Sequence, residues 1–109
     1  MPVPSLGSFE ELVLLAVCVL HEEAYGVRVL FEIQDQTGRT VTLGAVHATL
    51  YRLQEKGLLK SEMGGATDTR GGRRKRLFNA TSAGFEAVRS SRDVRERMWS
   101  LIPQLKTSS

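Results

Sequence analysis

Five basic side chains fall within seven residues at Arg70-Gly71-Gly72-Arg73-Arg74-Lys75-Arg76, the stretch of this sequence best equipped for chemistry. Cations at that density on glycine-rich backbone suit a polyanion, because each phosphate they neutralise releases bound counterions. If Arg73 to Arg76 lie in a strand they point alternately to opposite faces, so two can lie along a duplex and two cover the outside. A solvated basic turn, or charge guarding a sheet edge, would look the same in isolation. A second group is Thr42, Gly44, Ala45, His47, Ala48, Tyr51 and Arg52. On a helix these put small residues first, where backbone can approach base edges, and longer polar groups after them. The free amides at the start of such a helix also suit a phosphate. Taken singly, His47 and Tyr51 read as readily as plain surface residues.

Charge is distributed unevenly. Residues 1–51 hold two basic and six acidic side chains, whereas residues 52–109 hold thirteen basic and six acidic. The second half is therefore the half that would face a polyanion.

Other chemistries find little support. Catalysis needs a nucleophile with a base, paired carboxylates or a metal site. His21 and His47 fall on different predicted helices without ligand spacing, and the glycine-rich stretch lacks the Gly-Lys-Ser/Thr ending of a phosphate loop. The reading is accordingly not an enzyme, with no cofactor and no metal. Cys18 is the only cysteine, set in an apolar run, and reads as a small hydrophobe rather than a redox switch. The longest apolar run, Leu12 to Leu20, is far shorter than the ~20 residues that span a bilayer. No basic leader with a small-residue cleavage site is visible, so no membrane partner and a cytoplasmic location are expected.

The elements that would carry these groups follow from periodicity. Ser8-Phe9-Glu10-Glu11 has the form of a capping box, Ser8 with Glu11, opening a helix over about Phe9 to Leu20. That helix is apolar on every side, which one small layer of helices cannot cover. A second helix is expected over about Tyr25 to Gln36, with Val27, Leu30, Phe31 and Ile33 inward and Gly38 ending it. Arg39 to Val41 reads as a minor edge strand. Thr42 caps a third helix from about Leu43 to Lys56, with Val46, Leu50 and Leu53 inward and Gly57 closing it. Leu58 to Met63 and Arg73 to Ala80 read as strands of a hairpin with a long glycine-rich tip. Thr81 caps a last helix to about Leu101, stopped before Pro103.

Three helices followed by a hairpin is the chain order of a winged helix. The fold expected is mainly α with a small β-hairpin: a winged helix-turn-helix over residues 8–80 and a C-terminal dimerisation helix over 81–105. Val94, Met98, Leu101 and Leu105 make a stripe at i, i+4, i+7 and i+11, outside the winged-helix core. Pairing with a symmetry mate and with Leu12, Leu15 and Val19 of its first helix would bury both apolar surfaces. Trp99 reads first as an anchor in that seam and second as the wall of an effector pocket. Two-fold symmetry would put two third helices about one DNA turn apart. The competing reading is a winged-helix adaptor whose wing binds an acidic protein.

Several segments together resemble PadR-family transcriptional regulators. They are Ala24-Tyr25-Gly26, Leu43-Gly44-Ala45-Val46, the run Leu50 to Leu58, Gly72-Arg73-Arg74-Lys75-Arg76 and Thr81-Ser82-Ala83-Gly84. The resemblance runs from about Phe9 to Val88. It implies a repressor-type winged helix, a homodimer formed by the C-terminal helix with helix 1, and a palindromic operator in double-stranded DNA. In some members a small aromatic effector releases the DNA, here at the dimer interface. It also implies helix 3 as recognition helix and residues 71–76 as wing. The chain departs from the family in having His47 where tyrosine is frequent, and Leu77-Phe78 where an aromatic pair is. Its short C-terminal part resembles the compact members, which have little room for an effector domain.

Overall fold

The computed structural model describes residues 5–64 and 75–105. Its elements are α1 (Ser8–Leu20), α2 (Gly26–Thr37), α3 (Leu43–Glu55), β1 (Leu59–Met63), β2 (Arg76–Ala80) and α4 (Ser82–Ser100). Short 3₁₀ turns follow α1 at His21–Glu23 and close the described chain at Pro103–Leu105. The architecture is mainly helical with one two-stranded antiparallel hairpin, as expected.

α1 starts one residue earlier than the capping-box reading placed it. Gly7 is the N-cap, and its amide donates to the Glu10 carboxylate at 2.8 Å. The Ser8–Glu11 box does not form. Glu10, three residues beyond the cap, is the carboxylate within reach of it, and Glu11 is engaged by α4 instead. Only one face of α1 is buried, through Val13, Leu14 and Val17, while Leu15 and Val19 remain exposed.

α2 ends at Gly38, whose φ of 71° takes the left-handed conformation that glycine adopts without a Cβ clash. Its inward face is only partly the one expected, Ile33 and Leu30 facing the core but Val27 and Phe31 not. Gly26, Val29 and Ile33 are buried, Leu30 is half-buried, and Val27 and Phe31 stand exposed. In this rotation Gly26, at the start of the helix, faces the His47 ring of α3. Residues 39–41 form no strand, since the hairpin is the one sheet described and offers them no partner.

Thr42 caps α3 as expected, its hydroxyl accepting from the Ala45 amide at 3.1 Å. Val46, Leu50 and Leu53 are fully buried. Gly57, at φ 79°, turns the chain so that the Leu58 amide returns to the Leu53 carbonyl at 3.0 Å. The hairpin pairs Leu59 with Ala80 through Met63 with Arg76. It is fastened to the helices by the Phe78 amide, which donates to Ala24 O at 2.9 Å, and by the buried Phe78 ring.

α4 begins at the Thr81 cap, whose hydroxyl accepts from the Gly84 amide and donates to the Gly57 carbonyl. Gly84 presses on the hairpin base so closely that a β-carbon there would lie 2.2 Å from Leu58 O. Ala87 is the last buried residue of the helix, and every residue from Arg92 to Leu101 is exposed. The projecting α4 gives the molecule a long axis of 58 Å against 34 and 21 Å. No described helix is long and apolar enough to cross a membrane.

Candidate nucleic-acid interface

Residues one helical turn apart share a face, so Gly44, His47, Ala48 and Tyr51 line one side of α3 opposite its buried stripe. Gly44, Ala45 and Ala48 are exposed, and nothing lies within 4 Å of where a Gly44 β-carbon would stand. The backbone at the start of α3 is therefore open to close approach. Thr42, exposed at the cap, has its hydroxyl occupied by the Ala45 amide.

His47 and Tyr51 are positioned by neighbours rather than swinging free. The His47 imidazole packs on Gly26 at the start of α2, where an added β-carbon would come within 2.2 Å of Nε2. Glycine at residue 26 is what lets the two helices of the turn meet with a ring between them. Tyr51 is 45% exposed, and its ring meets Phe78 edge-to-face at 5.6 Å, a favoured aromatic geometry.

The hairpin base completes the surface. Lys75, exposed, places its ammonium 4.0 Å from the centre of the Tyr25 ring. Arg76 donates to Ser61 Oγ at 3.0 Å, and Ser61 in turn donates to Gln54 of α3, so the strand is tied to the helix beside it. A groove of about 540 Å³ joins the three elements, lined by Tyr25, Gly26, Val27, His47, Tyr51, Met63, Lys75, Arg76 and Phe78. Its ionisable lining is cationic or neutral, with no carboxylate among these residues.

Thus His47, Tyr51, Lys75 and Arg76 are brought to one surface, with Gly44, Ala45 and Ala48 exposed on the same helix. Arg52 points elsewhere, toward the N-terminal end of α1, with its guanidinium 3.9 Å from Glu10. Arg70, Arg73 and Arg74 lie outside the described residues. Sequence reasoning missed Tyr25 as a lining residue. Its signal was the aromatic-glycine pair opening a helix, where the ring must lie beside whatever the glycine admits.

Glu10 is the other residue that sequence reasoning passed over as more than a cap. Lys56 Nζ lies 2.7 Å from its carboxylate. Burial pushes the Glu10 carboxyl up, but the hydrogen bonds from Lys56 and the Gly7 amide, with the charges of Lys56 and Arg52, outweigh it and hold the group below its usual value. Burial pushes the half-buried Cys18 thiol up, away from the reactive thiolate. Among the described residues no group of His, Cys, Asp and Glu could hold a metal ion.

The residues expected at a dimer seam are solvent-facing in the single chain. Met98, Trp99 and Leu101 are each more than 60% exposed, Val94 and Leu105 nearly half, and Leu15 and Val19 are open on α1, with Leu12 half-buried beside them. An apolar groove of about 340 Å³ runs along α1 and α2 past Leu12, Leu15 and Val19.

Three helices, a hairpin packed beside the third and a cationic groove between them define a winged-helix protein. The chain matches the PadR-like family of transcriptional regulators over residues 14–90 and belongs to it. Members of that family are DNA-binding regulators. Solved structures share the fold. A PadR-like transcriptional regulator from Bacillus cereus superposes with a TM-score of 0.70 at 18% identity, covering 93% of this chain and 93% of that one. A PadR family regulator from Eggerthella lenta gives 0.68 at 21% identity, covering 90% and 83%. One from Clostridium difficile gives 0.65 at 22%, covering 86% and 96%. No curated protein matches the chain.

Proposed function

We propose that this chain is a cytoplasmic repressor that binds a palindromic operator as a homodimer. Residues 8–80 form the DNA-binding unit, with α3 in the major groove and the hairpin on the backbone; residues 81–105 pair the subunits. The observation that carries the reading is the shared groove, where His47 and Tyr51 of α3 stand with Lys75 and Arg76 of the hairpin and no carboxylate intervenes. Gly44, Ala45 and Ala48 supply the close-approach surface toward the bases, and Thr42 opens the helix toward a phosphate. Arg70, Arg73 and Arg74 extend the cationic contact along the wing, whereas Arg52, turned toward Glu10, is left out of the contact. The pairing surface is formed by α4 and the turn after it, through Val94, Met98, Trp99, Leu101 and Leu105, against its mate and against Leu12, Leu15 and Val19 of the partner's first helix. A small aromatic effector would enter at that seam beside Trp99.

Selection of bound sequences from a random duplex pool tests this directly. A palindromic product with half-sites about one helical turn apart is expected. Retention without enrichment would reduce the chain to a non-specific binder. No salt-dependent retention at all would overturn DNA binding and leave a protein adaptor.

A further inference from the structure

We propose that the adjacent carboxylates Glu10 and Glu11 are positioning residues that set the angle between the reading helix α3 and the pairing helix α4, and with it the operator half-site spacing. This rests on the dimeric DNA-binding reading above. Successive helical residues point about 100° apart, so one turn of α1 reaches two different elements. Glu10 grips the C-terminal end of α3, with Lys56 Nζ at 2.7 Å and Arg52 at 3.9 Å, and is itself fixed by the Gly7 amide at 2.8 Å. Glu11 grips α4, accepting from Ser91 Oγ at 2.6 Å and from Arg95 at 2.7 Å. Their side chains are only 9% and 12% exposed. Removing two neighbouring carboxylates from water is costly unless each is paired in a defined geometry, and defined geometry is what a joint between two rigid helices requires.

The location of the joint gives it leverage. Of the hydrogen bonds and ion pairs described between α4 and the rest of the chain, those at Ser91 and Arg95 lie farthest along the helix. From Arg92 to Leu101 nothing is buried. The nine helical rises from Ser91 to Ser100 span about 14 Å, so a tilt of about 10° pivoting at Ser91 moves the tip by about 2.4 Å. Two-fold symmetry doubles the displacement between the two subunits to about 5 Å, more than the ~3.4 Å step between base pairs.

The test uses the full-length dimer with Cys18→Ser and Ala48→Cys, spin-labelled at residue 48 of each subunit. The distance distribution between labels is measured without DNA. It should be narrow in the parent, broadened or shifted by Arg95→Gln and Glu11→Gln, and restored by Arg95→Lys, which keeps the charge. Arg95 is itself 65% exposed, and Glu11 keeps its bond from Ser91 when Arg95 is replaced, so its variants are expected to fold, which a melt of each checks. On the selected operator, without labels, moving the half-sites by one base pair should penalise the parent. Arg95→Gln should lose about tenfold of that discrimination with little change in melting temperature. Unchanged distances and spacing preference in both glutamine variants, or a monomeric parent, would overturn the proposal. A selection that enriches no palindrome would overturn the operator reading instead, and the label distances would still decide the joint.

Discussion

Gly26 and Gly84 each face an atom 2.2 Å from where a β-carbon would stand, yet the two obstacles differ in kind. At Gly84 the obstacle is the Leu58 carbonyl, which cannot move without the hairpin base. Gly84→Ala should therefore cost about 1–3 kcal/mol despite the better helix propensity of alanine, lowering the melting temperature by several degrees. At Gly26 the obstacle is the His47 ring, which can rotate away. Gly26→Ala should melt close to the parent and instead weaken DNA binding, because the ring it displaces belongs to the proposed reading face. Thermal melts and duplex titrations of the two variants, side by side, separate a glycine needed by the fold from one needed by the interface. The sequence shows both as glycines in helices and carries no sign of what each touches, since the neighbour comes from across the fold.

At the scale of elements, α3 and the hairpin were legible because their signals are local. A threonine cap, an i, i+4, i+7 apolar stripe and a left-handed glycine each act within a few residues. The rotation of α2 was not legible. Val27, Leu30, Phe31 and Ile33 make as good a stripe as Val29 and Ile33, and the choice depends on packing against α1 and α3 that periodicity does not carry. The start of α1 differs from the expected one for a related reason. Two adjacent glutamates compete for one cap, and Ser91 and Arg95, at sequence separations of 80 and 84 residues, decide which is free. Two predictions belong here. Replacing Arg73 and Arg74 with alanine should lower the salt slope of duplex binding by roughly 1 for each phosphate that is no longer neutralised. An unchanged slope would take the wing off the backbone. The Glu10 carboxyl, held below its usual value, contributes stability that is present above its unfolded value and lost as pH falls through the folded one. Melting temperature should thus fall more steeply on acidification in the parent than in Glu10→Gln, and parallel acid limbs would show the tie to be energetically idle.

The whole molecule poses a question of exposed apolar surface. A helix whose outer half buries nothing, yet carries Met98 and Trp99 with Leu101 just beyond its end, meets no apolar partner among the described residues. Met98→Lys should leave the winged helix folded, because residue 98 is 65% exposed. In sedimentation it should shift a dimeric parent toward monomer and cost operator affinity with it. A Met98→Lys chain that still sediments as a dimer would move the seam to another face. The surplus of apolar residues on α1 and α4 was legible in the sequence as a stripe without a local partner. Their separation in space, with Leu15 on the body and Met98 on the projection, depends on the angle of α4 and was not.

The bonds that seal the base of the hairpin have an evolutionary consequence. Thr81 holds Gly57, the Thr81 amide holds Leu58 O, and the Gly64 amide holds the Lys75 carbonyl at 2.6 Å, so both ends of the intervening stretch are anchored before it begins. Insertions or deletions between Gly64 and Lys75 then leave these anchors in place, and closing a longer connection costs only about 0.6 kcal/mol for each doubling of its length. Wing reach can diversify among descendants of this gene while the body that carries it stays the same.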